Sequence, residues 1–177
     1  MDNLQRIRRM STVLGRVSAV LFWVTPLACA LFWGVFNALP EVVKARFLFP
    51  GTHELAALNR ALCFLVGMIP AAVAMYGFRT LRELFALYAA GEIFSRRNVA
   101  CYRTLGRALL YWAGAVFVNT TLLSLAKSVG MPQGQRYLVV GVGSDELAAL
   151  FAGAAALVIS WVMDEGRHIE EEQALTI

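Results

Sequence analysis

The sequence predicts an all-α, polytopic membrane protein with four transmembrane helices, and three observations lead there. Apolar stretches at 17–36, 61–78, 106–126 and 147–163 each approach the length that a bilayer demands. The hydrocarbon core is ~30 Å thick and a helix rises ~1.5 Å per residue, so about 20 residues cross it. The 177 residues are 59% hydrophobic and only 16% charged, whereas a soluble domain carries about 25% charged residues. The basic residues gather at the ends of alternate spans rather than evenly along the chain. No water reaches bilayer depth to satisfy backbone groups, which restricts spanning segments to helices or closed barrels. One membrane domain over residues 1–177 uses the whole length, with a hairpin at 79–105 and a tail at 164–177 outside the bilayer.

Arginine sets the expected orientation. Basic residues are retained on the cytoplasmic side. Arg6, Arg8, Arg9 and Arg16 precede the first span, and Arg79, Arg82, Arg96, Arg97, Arg103 and Arg107 lie between the second and third. Arg167 follows the fourth. Only Lys44, Arg46, Arg60, Lys127 and Arg136 fall on the other side. Both termini and the middle connection are therefore expected in the cytoplasm, N-in and C-in. The net charge of +4 is explained by this membrane bias and does not point to direct nucleic-acid binding.

The first span follows a basic segment, as a signal peptide does. Its apolar run continues through Leu31, Phe32, Trp33 and Val35, longer than a signal-peptide core, so it reads as uncleaved. Pro26 and Pro70 lie inside spans one and two, where a proline removes one backbone hydrogen bond. The connection 37–60 is too apolar at Val42, Val43, Phe47 and Phe49 for a bare loop and predicts a short interfacial helix. Thr52, after the Pro50-Gly51 turn signal, is the expected N-cap of the second long helix.

Beyond span two the helical pattern continues through Leu81, Leu84, Phe85 and Tyr88 at spacings of three and four. The second helix should therefore run on out of the membrane and end at Gly91. Ser95 is placed to cap the next helix, with Phe94 and Val99 as a hydrophobic staple. That helix should continue into span three. Residues 137–140 are aromatic and β-branched, which suits a short strand or a segment packed on the membrane surface. Ser144, with Asp145 and Glu146 behind it, starts the fourth long helix. Ala149, Gly153 and Ala156 are small residues that permit close helix approach, and Gly166 is expected to interrupt the helix and offers a hinge.

Motifs that carry chemistry are scarce. His53 and His168 are expected on opposite sides of the bilayer, so they cannot share a metal, which needs three or four convergent ligands. No zinc-protease, haem or phosphate-loop pattern occurs, and the sequence gives no expectation of a cofactor or of an enzyme. Cys29, Cys63 and Cys101 read as small packing residues. The span interiors carry no ionisable group, and Asn119-Thr120-Thr121 reads as a polar contact between helices.

The cytoplasmic face is the most informative surface. Arg96, Arg97, Arg103 and Arg107 face an acidic tail with Asp164, Glu165, Glu170, Glu171 and Glu172. Internal ion pairs and anionic lipids would use these charges. So would a protein partner recognised by charge complementarity.

Two segments carry a resemblance. Gly91-Glu92-Ile93-Phe94-Ser95-Arg96-Arg97-Asn98 shows a Gly-x-Ile-Phe-Ser-x-x-Asn pattern. Asp164-Glu165-Gly166-Arg167 leads through Glu171, Glu172 and Gln173 to Leu175-Thr176. Together they resemble a bacterial domain-of-unknown-function family of four-span inner-membrane proteins, often encoded beside small helix-turn-helix regulators. The resemblance implies a multi-pass protein of the bacterial inner membrane and a regulatory pair, and it implies no catalytic residue.

The expected function is a non-enzymatic membrane protein that engages a cytoplasmic partner. Candidate docking residues are Gly91, Phe94, Ser95, Arg96, Arg97, Asn98, Asp164, Glu165, Arg167, Glu171 and Glu172. The alternative is an accessory subunit of a larger membrane complex, joined through Ala149, Gly153 and Ala156 or through the Asn119 face. A small-molecule binder or oligomeric channel is a weaker third reading.

Overall fold

The computed structural model describes residues 2–47, 54–92, 95–129, 136 and 138–174. Four long α-helices make up most of it: α1 (Asp2–Gly34), α3 (Ala57–Ala90), α4 (Arg96–Ser128) and α5 (Ser144–Ala174). A 3₁₀ turn (Phe36–Ala38) and the short α2 (Glu41–Phe47) join α1 to α3. No strand occurs among the described residues. All four long helices contain a stretch apolar enough to cross a membrane. At ~1.5 Å per residue, the 34 residues of α3 reach ~51 Å. A ~30 Å hydrocarbon core leaves ~20 Å of that helix outside it.

The packing is sequential. α1 lies on α3, α3 on α4 and α4 on α5, while α1 and α5 make no comparable contact. The helices therefore form an open row. Small residues let backbones approach along its seams, as membrane helices without a hydrophobic driving force require. On α1 the buried Ser11 and Ser18 face α3, and Gly15 sits against Phe85, whose Cβ would be 3.6 Å from an added methyl. Further along, Gly67 of α3 accommodates Cys29 and Trp33; a Cβ there would be 3.1 Å from the Cys29 Sγ. All three cysteines are free thiols.

Several boundaries differ from the sequence expectation. α1 begins at Asp2, far ahead of the apolar run, because Gln5, Arg6, Arg8, Arg9 and Met10 are all good helix formers. It ends at Gly34, and Phe36 turns back into a cluster with Trp33, ring centroids 5.2 Å apart. Helices α1 and α3 run unbroken through Pro26 and Pro70. Thr52 lies outside the described residues, and it is Ala56 that occupies the N-cap position of α3, with no side-chain bond. The chain entering α3 is held instead by Asn37. Its amide donates to the Leu55 carbonyl at 2.9 Å and accepts from the Leu55 N–H at 3.1 Å.

At the far end of the chain, Gly166 does not interrupt α5, which continues to Ala174. One helical glycine costs about 1 kcal/mol relative to alanine, and the surrounding Glu, Arg, Gln and Ala favour helix enough to carry it. α5 starts at Ser144, as expected, with Asp145 and Glu146 in its first turn. Gly143 holds the N-cap position, and its N–H donates to Glu146 Oε2 at 2.8 Å, half of a capping box. Residues 138–140 form no strand; the Val139 N–H donates to Ser124 Oγ at 3.1 Å and so rests on α4. Tyr137 lies outside the described residues.

Candidate interaction surface

The antiparallel row gathers four helix ends at the α3–α4 turn: the start of α1, the end of α3, the start of α4 and the end of α5. The turn is built by local chemistry. Gly91 takes φ +90°, the left-handed region that side chains disfavour. Its N–H and that of Glu92 close the helix onto the Tyr88 and Leu87 carbonyls at 3.1 and 3.0 Å, a Schellman arrangement. The Arg8 guanidinium of α1 lies over this glycine, and a Cβ there would be 2.8 Å from Arg8 Nη2.

On the other side of the turn, Ser95 caps α4. Its hydroxyl accepts from the Asn98 N–H at 3.3 Å. Asn98 is fully buried, and its Nδ2 donates to the Glu92 carbonyl at 2.7 Å. The asparagine therefore ties the first turn of α4 to the residue that follows Gly91, bridging the connection from inside. Phe94 lies outside the described residues, and with it the proposed staple to Val99.

Behind the turn, Leu84, Leu87 and Cys101 form a small buried cluster with Tyr88, Tyr102 and Leu105 around it. The Tyr88 and Tyr102 hydroxyls share a hydrogen bond of 2.8 Å. Each ring contributes an apolar body and finds a partner for its polar tip. This cluster fixes α3 against α4 beyond the apolar spans, so the hairpin end is a packed platform.

Charge completes the surface. Arg97 on α4 pairs with Glu83 on α3 at 3.4 Å, both largely exposed. Arg103 on α4 pairs with Asp164 on α5 at 3.3 Å, both about one-third exposed. The second pair pins the end of α5 to the platform, and α5 then continues ten residues beyond it to Ala174, ~15 Å at helical rise. Glu165 is exposed. Arg167, His168, Glu170, Glu171 and Glu172 are in this extension; their backbone is described and their side chains are not. His53 lies outside the described residues. Among the described residues no three histidine, cysteine or carboxylate side chains gather to hold a metal ion.

The packing candidates fall elsewhere. Gly153 of α5 meets Gly106 of α4 so closely that a Cβ on Gly153 would be 2.9 Å from the Gly106 carbonyl oxygen. Gly153 is thus used inside the chain, in the seam between α4 and α5. Ala149 and Ala156 flank it, half-buried on the same stripe. Asn119 is half-buried on α4; its Oδ1 is enclosed and accepts no hydrogen bond among the described residues. The Thr120 and Thr121 hydroxyls turn back to the Val116 and Phe117 carbonyls at 3.0 and 3.2 Å.

Sequence reading missed the polar network at the opposite end. Asn59 of α3 donates to the Lys127 and Val129 carbonyls at 3.1 and 2.9 Å, closing the end of α4. Arg60 donates to the Gly34 carbonyl at 2.9 Å, a cation at the end of α1, where the helix dipole favours it. The adjacent polar pair Asn59-Arg60 opening an apolar run was the available signal.

Four long apolar helices, joined in an open row with a charged platform at one end, define a multi-pass α-helical membrane protein. The chain belongs to the family described as a protein of unknown function (DUF2975), whose sequence model matches residues 17–177. The match includes both segments of the platform that carry the resemblance. No curated protein and no solved structure matches the chain.

Proposed function

We propose that this protein is a non-enzymatic component of the bacterial inner membrane that engages a soluble cytoplasmic partner through the α3–α4 turn and the end of α5. In this reading the chain is N-in and C-in, with most of its arginines on the partner's side. The observation that carries it is the Arg103 to Asp164 ion pair. It anchors α5 beside the arginine-bearing start of α4, and the acid-rich extension of α5 leaves from that anchor. The basic start of α4 thus lies beside the point from which the acid-rich stretch of α5 continues, an arrangement suited to recognition by charge complementarity. The regulatory pair implied by the family resemblance gives the partner class: a small soluble DNA-binding regulator held at, or released from, the membrane.

A second reading, accessory subunit of a membrane complex, has one observation in its favour. α1 and α5 stand at the ends of the row with wide apolar faces uncovered by the chain, including Leu27 and Leu31 on one and Phe151, Trp161 and Val162 on the other. Recovery of the tagged full chain from native membranes in mild detergent, followed by mass spectrometry, separates the readings. A soluble protein that co-purifies in constant ratio supports the first. A constant set of integral membrane subunits, with no soluble protein, overturns it in favour of the second.

A further inference from the structure

The geometry points to a binding site for one anionic phospholipid in the groove between α1 and α3, with Arg79 and Arg82 on its phosphate and Phe22, Trp23 and Phe78 along an acyl chain. The groove encloses a cavity of about 250 Å³ lined by these residues and Ser18. Its depth in the bilayer follows from charge. α1 carries no charged residue between Arg16 and its end at Gly34, and α3 carries none between Arg60 and Arg79. Antiparallel packing sets Gly15 beside Phe85, so Arg82 falls near the level of Ser18, just past Arg16, and Arg79 lies about one turn deeper. This short interval, where the last charges meet the apolar stretches, is the boundary between hydrocarbon and headgroups. The groove lies across it, with Arg82 about one turn above Phe22 and Phe78 and Arg79 beside them.

The polar chemistry of the groove is one-sided. Arg79 and Arg82 are exposed and make no ion pair or hydrogen bond among the described residues. No carboxylate lines the cavity, and neighbouring Glu83 is engaged with Arg97 on the α4 side. The Ser18 hydroxyl is turned back to the Leu14 carbonyl at 2.9 Å. Two adjacent guanidiniums without a counter-ion match a phosphodiester, which they can hold with paired N–H donors. A zwitterionic headgroup would bring its own cation to a place already doubly positive. Trp23 is stacked edge-on against Phe22 with centroids 5.3 Å apart and leaves 67% of its surface exposed, a ring ready to cover a chain. The site requires only that the helices lie in a membrane, and it holds whether or not a soluble partner docks on the platform.

The test uses the purified full chain in detergent, titrated with phosphatidylglycerol or with phosphatidylcholine of the same acyl chains, and read by native mass spectrometry. One phosphatidylglycerol should be retained in preference to phosphatidylcholine. The Arg79→Gln/Arg82→Gln variant should lose that retention about tenfold or more, since it removes both guanidinium forks from the phosphate. Arg6→Gln/Arg9→Gln removes equal charge at nine or more residues from Ser18, ~13 Å along α1 and beyond a Debye length of ~10 Å, and should stay within about twofold. Equal losses in both variants would reduce the effect to diffuse surface charge and overturn the site. Dimers that survive delipidation and disappear in the Arg79→Gln/Arg82→Gln variant would assign the groove to a second copy, and would also overturn it. Should that variant fail to fold, Trp23 supplies an independent reading from the unmodified chain. Its fluorescence, taken as the difference from Trp23→Phe, should be quenched more by brominated phosphatidylglycerol than by brominated phosphatidylcholine, and equal quenching refutes the proposal.

Discussion

Gly106 of α4 and Gly153 of α5 cross backbone to backbone, with an added Cβ on either residue falling 3.0 Å or less from the other's carbonyl oxygen. Around this crossing, Leu157 covers Gly106, and Leu109 and Leu110 close on Gly153. The fully buried Ser160 continues the same stripe. The α4/α5 seam therefore depends on two missing side chains.

Gly153→Ala should destabilise the protein by about 1–3 kcal/mol, the usual range for forcing a methyl into a packed interior. Gly106→Ala should cost a similar amount, because its methyl would fall 3.0 Å from the Gly153 carbonyl oxygen and 2.8 Å from Leu157 Cγ. Thermal unfolding of the two variants in the same detergent checks both values. Either variant as stable as the unmodified chain would contradict this packing.

Gly91→Ala meets two obstacles of different kinds. The left-handed conformation itself costs a residue with a Cβ about 1–2 kcal/mol, and the new methyl would press on Arg8. Combining it with Arg8→Ala should recover the contact penalty and leave the conformational one. Gly91→Asn should be milder than Gly91→Ala, since asparagine tolerates this conformation. A double-mutant cycle by chemical denaturation measures the split, and full rescue by Arg8→Ala would show that the backbone is not strained.

Asn59→Ala should cost about 1–3 kcal/mol by leaving the Lys127 and Val129 carbonyls without their amide donor. Hydrogen exchange should accelerate at the last turn of α4 and stay unchanged at Arg96 to Cys101. Uniform acceleration along α4 would assign the loss to global unfolding instead.

These residues mark where the sequence could be read and where it could not. Gly91 and Ser95 are legible because a left-handed C-cap and an N-cap are made by neighbours in the chain. The spans are legible because lipid imposes length and polarity on each one separately. Asn37, Asn59 and Arg60 carry no such local signature: their partners lie 18, 68 and 70, and 26 residues away, and only the fold brings them together. Gly166 misled for the opposite reason. A glycine signals a break only when its neighbours do not hold the helix, and here they do. Gly153 could be read as a packing residue, but not which helix it packs against. For the candidate surface, charge signs were visible in the sequence, whereas the Arg97 to Glu83 and Arg103 to Asp164 pairings needed the antiparallel register.

Asp164→Asn should change stability by less than about 1 kcal/mol, because a partly exposed ion pair contributes little. Its effect should appear in position rather than stability: a spin label at Glu165 should gain mobility, and the charge swap Arg103→Asp/Asp164→Arg should restore order. Unchanged mobility in Asp164→Asn would show that other contacts hold the end of α5.

In the proposed function a soluble partner reads the end of α5 together with the platform. Cutting the chain after Gly166 tests it most directly, because the cut keeps the Arg103 to Asp164 anchor and removes only the extension. Full-length and shortened proteins are expressed at equal levels, recovered from native membranes, and compared by quantitative mass spectrometry. Membrane insertion should be equal, and one soluble protein should be lost at least tenfold from the shortened chain. Equal recovery of that protein with both chains would contradict it.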